Sequence, residues 1–224
     1  NKFPGWKSQP GEGSAKSSPL DPKCLLTYLK KMSLGGGSQK DFISPTHRLD
    51  QPCSGVLIFA KNGKAASRVQ VAWSKRQVEK NYWVVVEGGH SSKSGKLSGL
   101  ELLQSRSNKL SGGLFRLSAV VESNKSNSGG RGSVTARPLS SSQSNTKRDT
   151  DGRICHIEWQ HLLRLPNSEF AYTRHLLSVK TDTGAKHQVR ALLAIAGGAP
   201  IAGDLRYGNK ILSINKDGGK VHHP

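Results

Sequence analysis

Acidic side chains are scarce in this chain: 15 Asp and Glu stand against 34 Lys and Arg, a formal charge of +19 over 224 residues. A charge that large repels itself unless a polyanion answers it, and nucleic acid is the usual answer. Cysteine is sparse as well. The three present, Cys24, Cys53 and Cys155, are odd in number and lack ligand-like spacing, which argues against a disulfide framework and against a zinc site. The eight histidines show no metal spacing either, and His222-His223 sits in a polar tail. No apolar run approaches the length that crosses a bilayer. No helix with opposed basic and apolar faces marks a membrane-surface protein. Gly-rich phosphate loops and dinucleotide fingerprints are missing too. The chain starts at Asn1 rather than Met, which reads as a processed product or a fragment.

What is there suggests one large domain or two small ones. Residues 1 to about 37 are polar and rich in Gly, Pro and Ser. Within them Cys24 to Met32 reads as a helix, started by Pro22 and ended by Gly35-Gly36-Gly37. Val56 to Ala60 predicts a buried strand, and Lys64 to Gln77 an amphipathic helix on Ala65, Val69, Ala72 and Trp73. Lys80 to Glu87 is aromatic and β-branched, a strand that stops at Gly88-Gly89, with Tyr82 and Trp83 on opposite faces. From about residue 90 to 152 Ser, Gly, Lys and Asn dominate. This stretch reads as a low-complexity basic insertion: loops Lys93 to Lys109 and Lys125 to Arg148 around a modest strand near Gly113 to Val121. Ile154 to Leu165 and Thr173 to Thr181 alternate as strands, and Asp182-Thr183-Gly184 reads as a turn. A helix follows with the stripe Val189, Leu192, Leu193 and Ala196, ended by Gly197-Gly198 and Pro200. Strands outnumber helices without regular βα units. The fold expected is α+β, with a mixed, largely antiparallel sheet flanked by helices.

The most informative motif is His47-Arg48-Leu49-Asp50, followed by the turn-like Gln51-Pro52-Cys53-Ser54-Gly55. An aspartate between an arginine-bearing segment and a turn-then-strand pattern is a place to hold a carboxylate nucleophile. Far along the chain, Thr183 to Arg190 (Thr-Gly-Ala-Lys-His-Gln-Val-Arg) supplies a second basic cluster at a helix start. Taken alone, Asp50 is more often simply the cap of a turn before Pro52.

Five blocks in order give the chain a resemblance to the RluA-type pseudouridine synthases. Asn1-Lys2-Phe3-Pro4-Gly5 resembles the family's opening Asn-Lys-Pro-x-Gly, and His47 to Gly55 its catalytic block. Lys80-Asn81-Tyr82 resembles the Lys-x-Tyr strand, Thr183 to Arg190 resembles Thr-Gly-Arg-x-His-Gln-Ile-Arg, and Gly203-Asp204 to Tyr207-Gly208 resembles the Gly-Asp-x-x-Tyr-Gly turn. Phe3 and Ala185 depart from the family's proline and arginine, with Lys186 keeping a positive charge beside Ala185. The family's later C-terminal strand and the S4-type domain of some relatives are not evident.

The resemblance implies a single catalytic domain across 1–224 that isomerises uridine to pseudouridine in structured RNA without a cofactor. Asp50 would be the nucleophile at ribose C1′, releasing the uracil, which rotates and bonds again through C5. Arg190 would pair with Asp50 and keep it charged. Tyr82 would stack on the target base and serve in proton removal. Arg48 would fill the space left by the flipped-out uridine. Around them His47, Lys80, Lys186, His187 and Gln188 would line the RNA site, with His47, Lys80, His187 and Gln188 mainly supporting backbone geometry. The partner expected is ribosomal RNA inside a ribonucleoprotein or assembly intermediate, with no membrane, in a mitochondrion or, alternatively, in the cytoplasm or nucleus. The rival expectation is a synthase-derived ribosome-assembly factor whose fold is kept for binding RNA.

Overall fold

The computed structural model describes residues 1–10, 23–33, 42–87, 99–124, 133–139, 152–166, 173–181 and 183–208. The chain divides into two compact units, Asn1–Val78 and Glu79–Pro224.

The first unit is tied more by loop hydrogen bonds than by regular structure. Helix α1 (Leu25–Ser33) lies one residue from its expected start; its expected glycine stop lies outside the described residues. Cys24, just before it, is fully buried, and Tyr28 meets the Trp6 ring edge-on at 5.8 Å. Strands β1 (Ser44–Pro45) and β2 (Phe59–Ala60) form a two-residue antiparallel pair. The expected buried strand from Val56 is therefore shorter than its apolar run. Val56 and Ile58 are exposed, and only Ala60 is buried. At Ile58 the pairing is one-sided: its carbonyl accepts from the Thr46 amide (3.1 Å), while its amide donates to His47 Nε2 (3.1 Å). Helix α2 (Gly63–Ser74) is capped by Asn62, whose Oδ1 accepts from the Ala65 amide at 2.8 Å. Trp73 on its last turn packs against the His47 ring, centroids 5.1 Å apart.

The second unit is built on a six-stranded sheet. It contains β3 (Lys80–Glu87), β4 (Asn108–Lys109), β5 (Phe115–Asn124), β6 (Ser133–Pro138), β7 (Arg153–Leu165) and β8 (Arg174–Thr181). The order is β3-β8-β7-β5-β4, with β6 also on β5, and every pairing is antiparallel. Alternation decides which side chains enter the core. Val84 and Val86 point inward and Trp83 outward, 82% exposed, while Tyr82 packs against the core cluster. Trp159 is the largest fully buried side chain. It stacks on Phe115 (4.6 Å, 15°), and its indole N–H reaches Ser107 Oγ at 3.1 Å.

The low-complexity insertion is a correction. Helix α3 (Leu100–Ser105) and β4 fall inside the first expected loop, and β6 inside the second. Val134 and Ala136 are buried at 4% and 5%, so Val-Thr-Ala-Arg is a two-residue alternation concealed by its Ser- and Gly-rich flanks. The helix after the sheet also departs from expectation. α4 (Gln188–Ala191) opens into a wider turn over Leu192–Ala196, where the Gly197 amide reaches back five residues to the Leu192 carbonyl at 2.7 Å. Of the expected stripe, Leu192, Leu193 and Ala196 are fully buried and Val189 is half-buried, while Gln188 and Ala191 are buried as well. A Cβ on Gly197 would lie 2.8 Å from the Leu193 carbonyl oxygen and 2.5 Å from Leu103 Cδ1, so a side chain there would press on the helix backbone and displace Leu103 of α3.

A histidine pair joins β7 and β8. His161 Nε2 and His175 Nδ1 lie 3.1 Å apart beside a β-bulge between His161 and Leu163. Burial first, then electrostatic repulsion from His161 and Arg164, holds His175 below its ordinary pKa. Folding therefore favours neutral His175, so its contribution is intact above the usual histidine value of 6.5 and is lost as pH falls below it. The melting midpoint is expected to drop as buffer is taken from pH 7.5 to 5.5. In the His175→Gln variant that slope should flatten; an unchanged slope would show that other groups set it.

Candidate active site

In the first unit Asp50 sits at the head of a turn closed by the Cys53 amide on the Asp50 carbonyl at 3.0 Å. Both neighbours of Asp50 are held from a distant part of the chain. Ser8 Oγ donates to the Leu49 carbonyl (2.8 Å) and accepts from the Leu49 amide (3.0 Å). The Lys2 ammonium, in a side chain only 1% exposed, donates to the carbonyls of Trp6 (2.8 Å), Gln51 (3.0 Å) and Phe3 (3.2 Å). Lys2 and Gly55 also exchange both backbone bonds, and the Gly5 amide donates to Gln51 O at 2.9 Å. Asp50 itself is half-buried and Arg48 exposed. His47 is spent on Ile58 and Trp73, which anchors the start of the motif.

The Lys2 ammonium also feels the charge of the Asp50 carboxylate. Burial pushes its pKa down from the ordinary lysine value, and the Cys53 thiol and the Asp50 carboxylate act in the opposite direction. Lys2→Met removes one cation that serves three carbonyls. It should lower stability by about 2–3 kcal/mol, read by chemical denaturation.

In the second unit the motif from Thr183 to Arg190 is a turn wrapped around one buried amide. Gln188, 4% exposed, accepts from Thr183 Oγ1 (2.9 Å) and the Ala185 amide (3.0 Å), and donates to Thr181 Oγ1 (2.8 Å) and His156 O (3.0 Å). Its side chain is used up holding the turn. Lys80 Nζ donates to the Thr183 carbonyl and fastens that turn to β3, two residues before Tyr82 on the same strand face. Lys186 is exposed, and His187 takes a left-handed backbone (φ 53°) that starts α4.

Arg190 makes a two-pronged ion pair with Asp204, Nε to Oδ2 at 2.8 Å and Nη2 to Oδ1 at 2.9 Å. Tyr207 lies under the guanidinium, 5.2 Å from ring centre to Cζ, and its hydroxyl meets His187 Nδ1 at 2.8 Å. Burial would raise the Asp204 pKa. The Arg190 guanidinium and the amides of Arg206 and Tyr207 outweigh it and hold the carboxyl below its usual range.

The structure thus gathers His47, Arg48 and Asp50 in one unit, and Lys80, Tyr82, Lys186, His187, Gln188 and Arg190 in the other. The expected Asp50–Arg190 pairing runs between units and stays a proposal. Sequence reasoning missed roles for Lys2, Ser8, Asp204 and Tyr207. Three of these lie in blocks that stood out as motifs, so the signal was present; nothing marked Ser8.

Taken together, the features define a basic α+β chain with a fixed carboxylate turn in one unit and a fixed guanidinium in the other. The chain belongs to the RNA pseudouridylate synthase family, whose pattern it matches over residues 1–195. An uncharacterised RNA pseudouridine synthase of Zymomonas mobilis is 30% identical over 185 residues, 83% of this chain and 65% of that protein. Pseudouridylate synthase RPUSD4, mitochondrial, of Xenopus tropicalis is 29% identical across 82% of this chain and 50% of its own length. The tRNA pseudouridine synthase C of Vibrio cholerae is 28% identical, covering 75% and 57%. The chain therefore spans about half to two thirds of these relatives. Human RNA pseudouridylate synthase domain containing 4 shares the fold, with a TM-score of 0.58 and 21% identity over 93% of this chain and 64% of that one.

Proposed function

We propose that the chain isomerises uridine to pseudouridine in structured RNA, with ribosomal RNA the first target to test. Asp50 attacks C1′ of the target nucleotide as the glycosidic N1 bond breaks. The uracil turns over and C5 bonds to C1′ as the Asp50–C1′ ester bond breaks and frees the carboxylate, after which C5 loses its proton and N1 gains one. Tyr82 stacks on the base, Arg190 stabilises the Asp50 carboxylate, and Arg48 occupies the gap left by the extruded nucleotide. One observation carries this reading: the turn bearing Asp50 is tied on both sides by Ser8 and the buried Lys2, a cost in ordering that a mere turn cap does not need. The +19 charge supplies phosphate contacts that position RNA without reading its sequence. The compartment we infer is the mitochondrion, on the strength of relatives from Xenopus tropicalis and Rattus norvegicus whose names carry that word; bacterial relatives match as well.

The test is pseudouridine mapping after incubating the purified chain with ribosomal and transfer RNA transcripts. One or a few new sites in ribosomal RNA are expected. Sites only in transfer RNA would move the target. RNA binding without any new site would favour an assembly factor that kept the fold and lost the chemistry.

A further inference from the structure

We propose that the outward face of the six-stranded sheet is a docking surface for a second copy of this chain, paired across a two-fold axis.

Charge sets this face apart. The chain carries +19 with only 15 acidic residues, so two copies repel across most of their surface. Four of those acids, Glu79, Glu87, Glu122 and Glu158, lie on or beside this face, and each meets a cation: Lys180 (2.7 Å), Arg174 (4.0 Å), Arg137 (3.9 Å) and Arg116 in turn. The face is therefore locally balanced, which gives a polyanion little to hold and lets a like-charged copy approach.

Between the ion pairs the face is apolar. Alternation turns Trp83, Val85, Leu176 and Leu163 away from the core, with Trp83 82% exposed and Leu163 44%. Register sets them side by side: Trp83, Ser178 and Gln160 form one row, and Val85, Leu176 and Leu163 the next. An apolar centre holding an open tryptophan, rimmed by paired charges, is the anatomy of a protein–protein interface.

The order of the charges supplies the symmetry. Across the strands one row reads Glu79 beside β3, Lys180 on β8, Glu158 on β7 and Arg116 on β5, negative and positive in turn. In aligned sheet packing, a two-fold axis running along the strands between β8 and β7 reverses that order. Each charge then faces its opposite: Lys180 meets Glu158 of the second copy, and Glu79 meets Arg116. In the apolar row the same axis lays Leu176 on Leu163 of the second copy. A row of one sign would not survive the reversal.

The strand that presents Trp83 is steadied from both sides. β8 pairs with it along its whole length, and on its other side Ile201 bridges Val86, with the Glu87 amide on Pro200 O (2.9 Å) and the Ala202 amide on Val85 O (2.8 Å). Tyr82 belongs to the opposite sheet face, so a copy seated on Trp83 does not cover it.

The test is sedimentation velocity of the nuclease-treated full chain from about 1 to 100 µM, with circular dichroism melts to confirm folding. A species of twice the chain mass is expected. Trp83→Thr, which keeps a strand-forming residue, should raise the dissociation constant by about 30-fold or more. Lys180→Glu alone and Glu158→Lys alone should each be monomeric, because the axis then sets like charges together. Mixed one to one, these two variants should pair, since every charge in the row is again opposed. A wild type monomeric throughout, a dimer indifferent to Trp83→Thr, or a mixture that stays monomeric would each overturn the proposal. If Trp83→Thr fails to fold, the charge mixture decides alone. RNA binding that falls with Trp83→Thr in a monomeric chain would make the face a stacking platform for bases instead.

Discussion

Asp50→Ala is expected to stop pseudouridine formation, a loss of more than about 10⁴-fold in single-turnover rate, while RNA binding and the melting midpoint stay near wild type. The structure explains why chemistry and folding separate here. The turn is closed by the Asp50 backbone carbonyl, and its flanks are held by Ser8 at Leu49 and Lys2 at Gln51, through bonds that do not end on the carboxylate. Truncating a half-buried side chain in such a frame costs roughly 0.5 kcal/mol or less. Binding should survive because the charge on the chain is spread over 34 basic residues. Single-turnover assays on a mapped target, with filter binding across a salt series, distinguish the outcomes. Residual turnover near wild type would remove Asp50 as nucleophile. Lost binding with lost turnover would make its role one of recognition.

The largest effect on folding is expected at Trp159. Trp159→Ala should destabilise the chain by about 3–5 kcal/mol, because a fully buried indole leaves a hole its neighbours cannot close. Phe115 would lose its stacking partner and Ser107 Oγ the indole N–H it accepts. For a domain of ordinary stability, about 5–15 kcal/mol, that is a large fraction of the total. Chemical denaturation monitored by circular dichroism gives the number, and Ser107→Ala, expected to cost about 1–2 kcal/mol because it also removes the bond from Ser107 Oγ to the Leu103 carbonyl, separates the hydroxyl's hydrogen bonds from the packing. A loss for Trp159→Ala no larger than that of Ser107→Ala would mean the core repacks.

How far the molecule could be read from its residues depended on whether a signal was local. Lys80 to Glu87 matches β3 residue for residue, since its aromatic and β-branched run leaves one interpretation. The strands at β7 and β8 were legible by their alternation, and α2 by its apolar spacing. What failed had a physical cause in each case. Val134 and Ala136 are inward-facing, yet their small size and polar flanks hid β6. Val56 and Ile58 looked buried because apolar runs usually are, but the Ile58 amide goes to His47 and both side chains lie outside. Of the candidate site, Asp50 and Arg190 were visible through their motifs. Which residue supports which was not legible, although Lys2 and Asp204 lie in motif blocks, because Lys2 lies 49 residues from Gln51 and Asp204 lies 14 from Arg190, and no periodicity connects such partners.

The bridge between Ile201 and Val86 has a second effect, on association. The backbone of an outermost strand offers unpaired N–H and C=O groups to any extended polypeptide that drifts alongside it. Along Val85 to Glu87 those groups are already taken by Pro200, Ile201 and Ala202. The same three residues that steady the strand presenting Trp83 therefore guard this stretch against a foreign strand, so a change that frees them would expose the protein to self-templated aggregation.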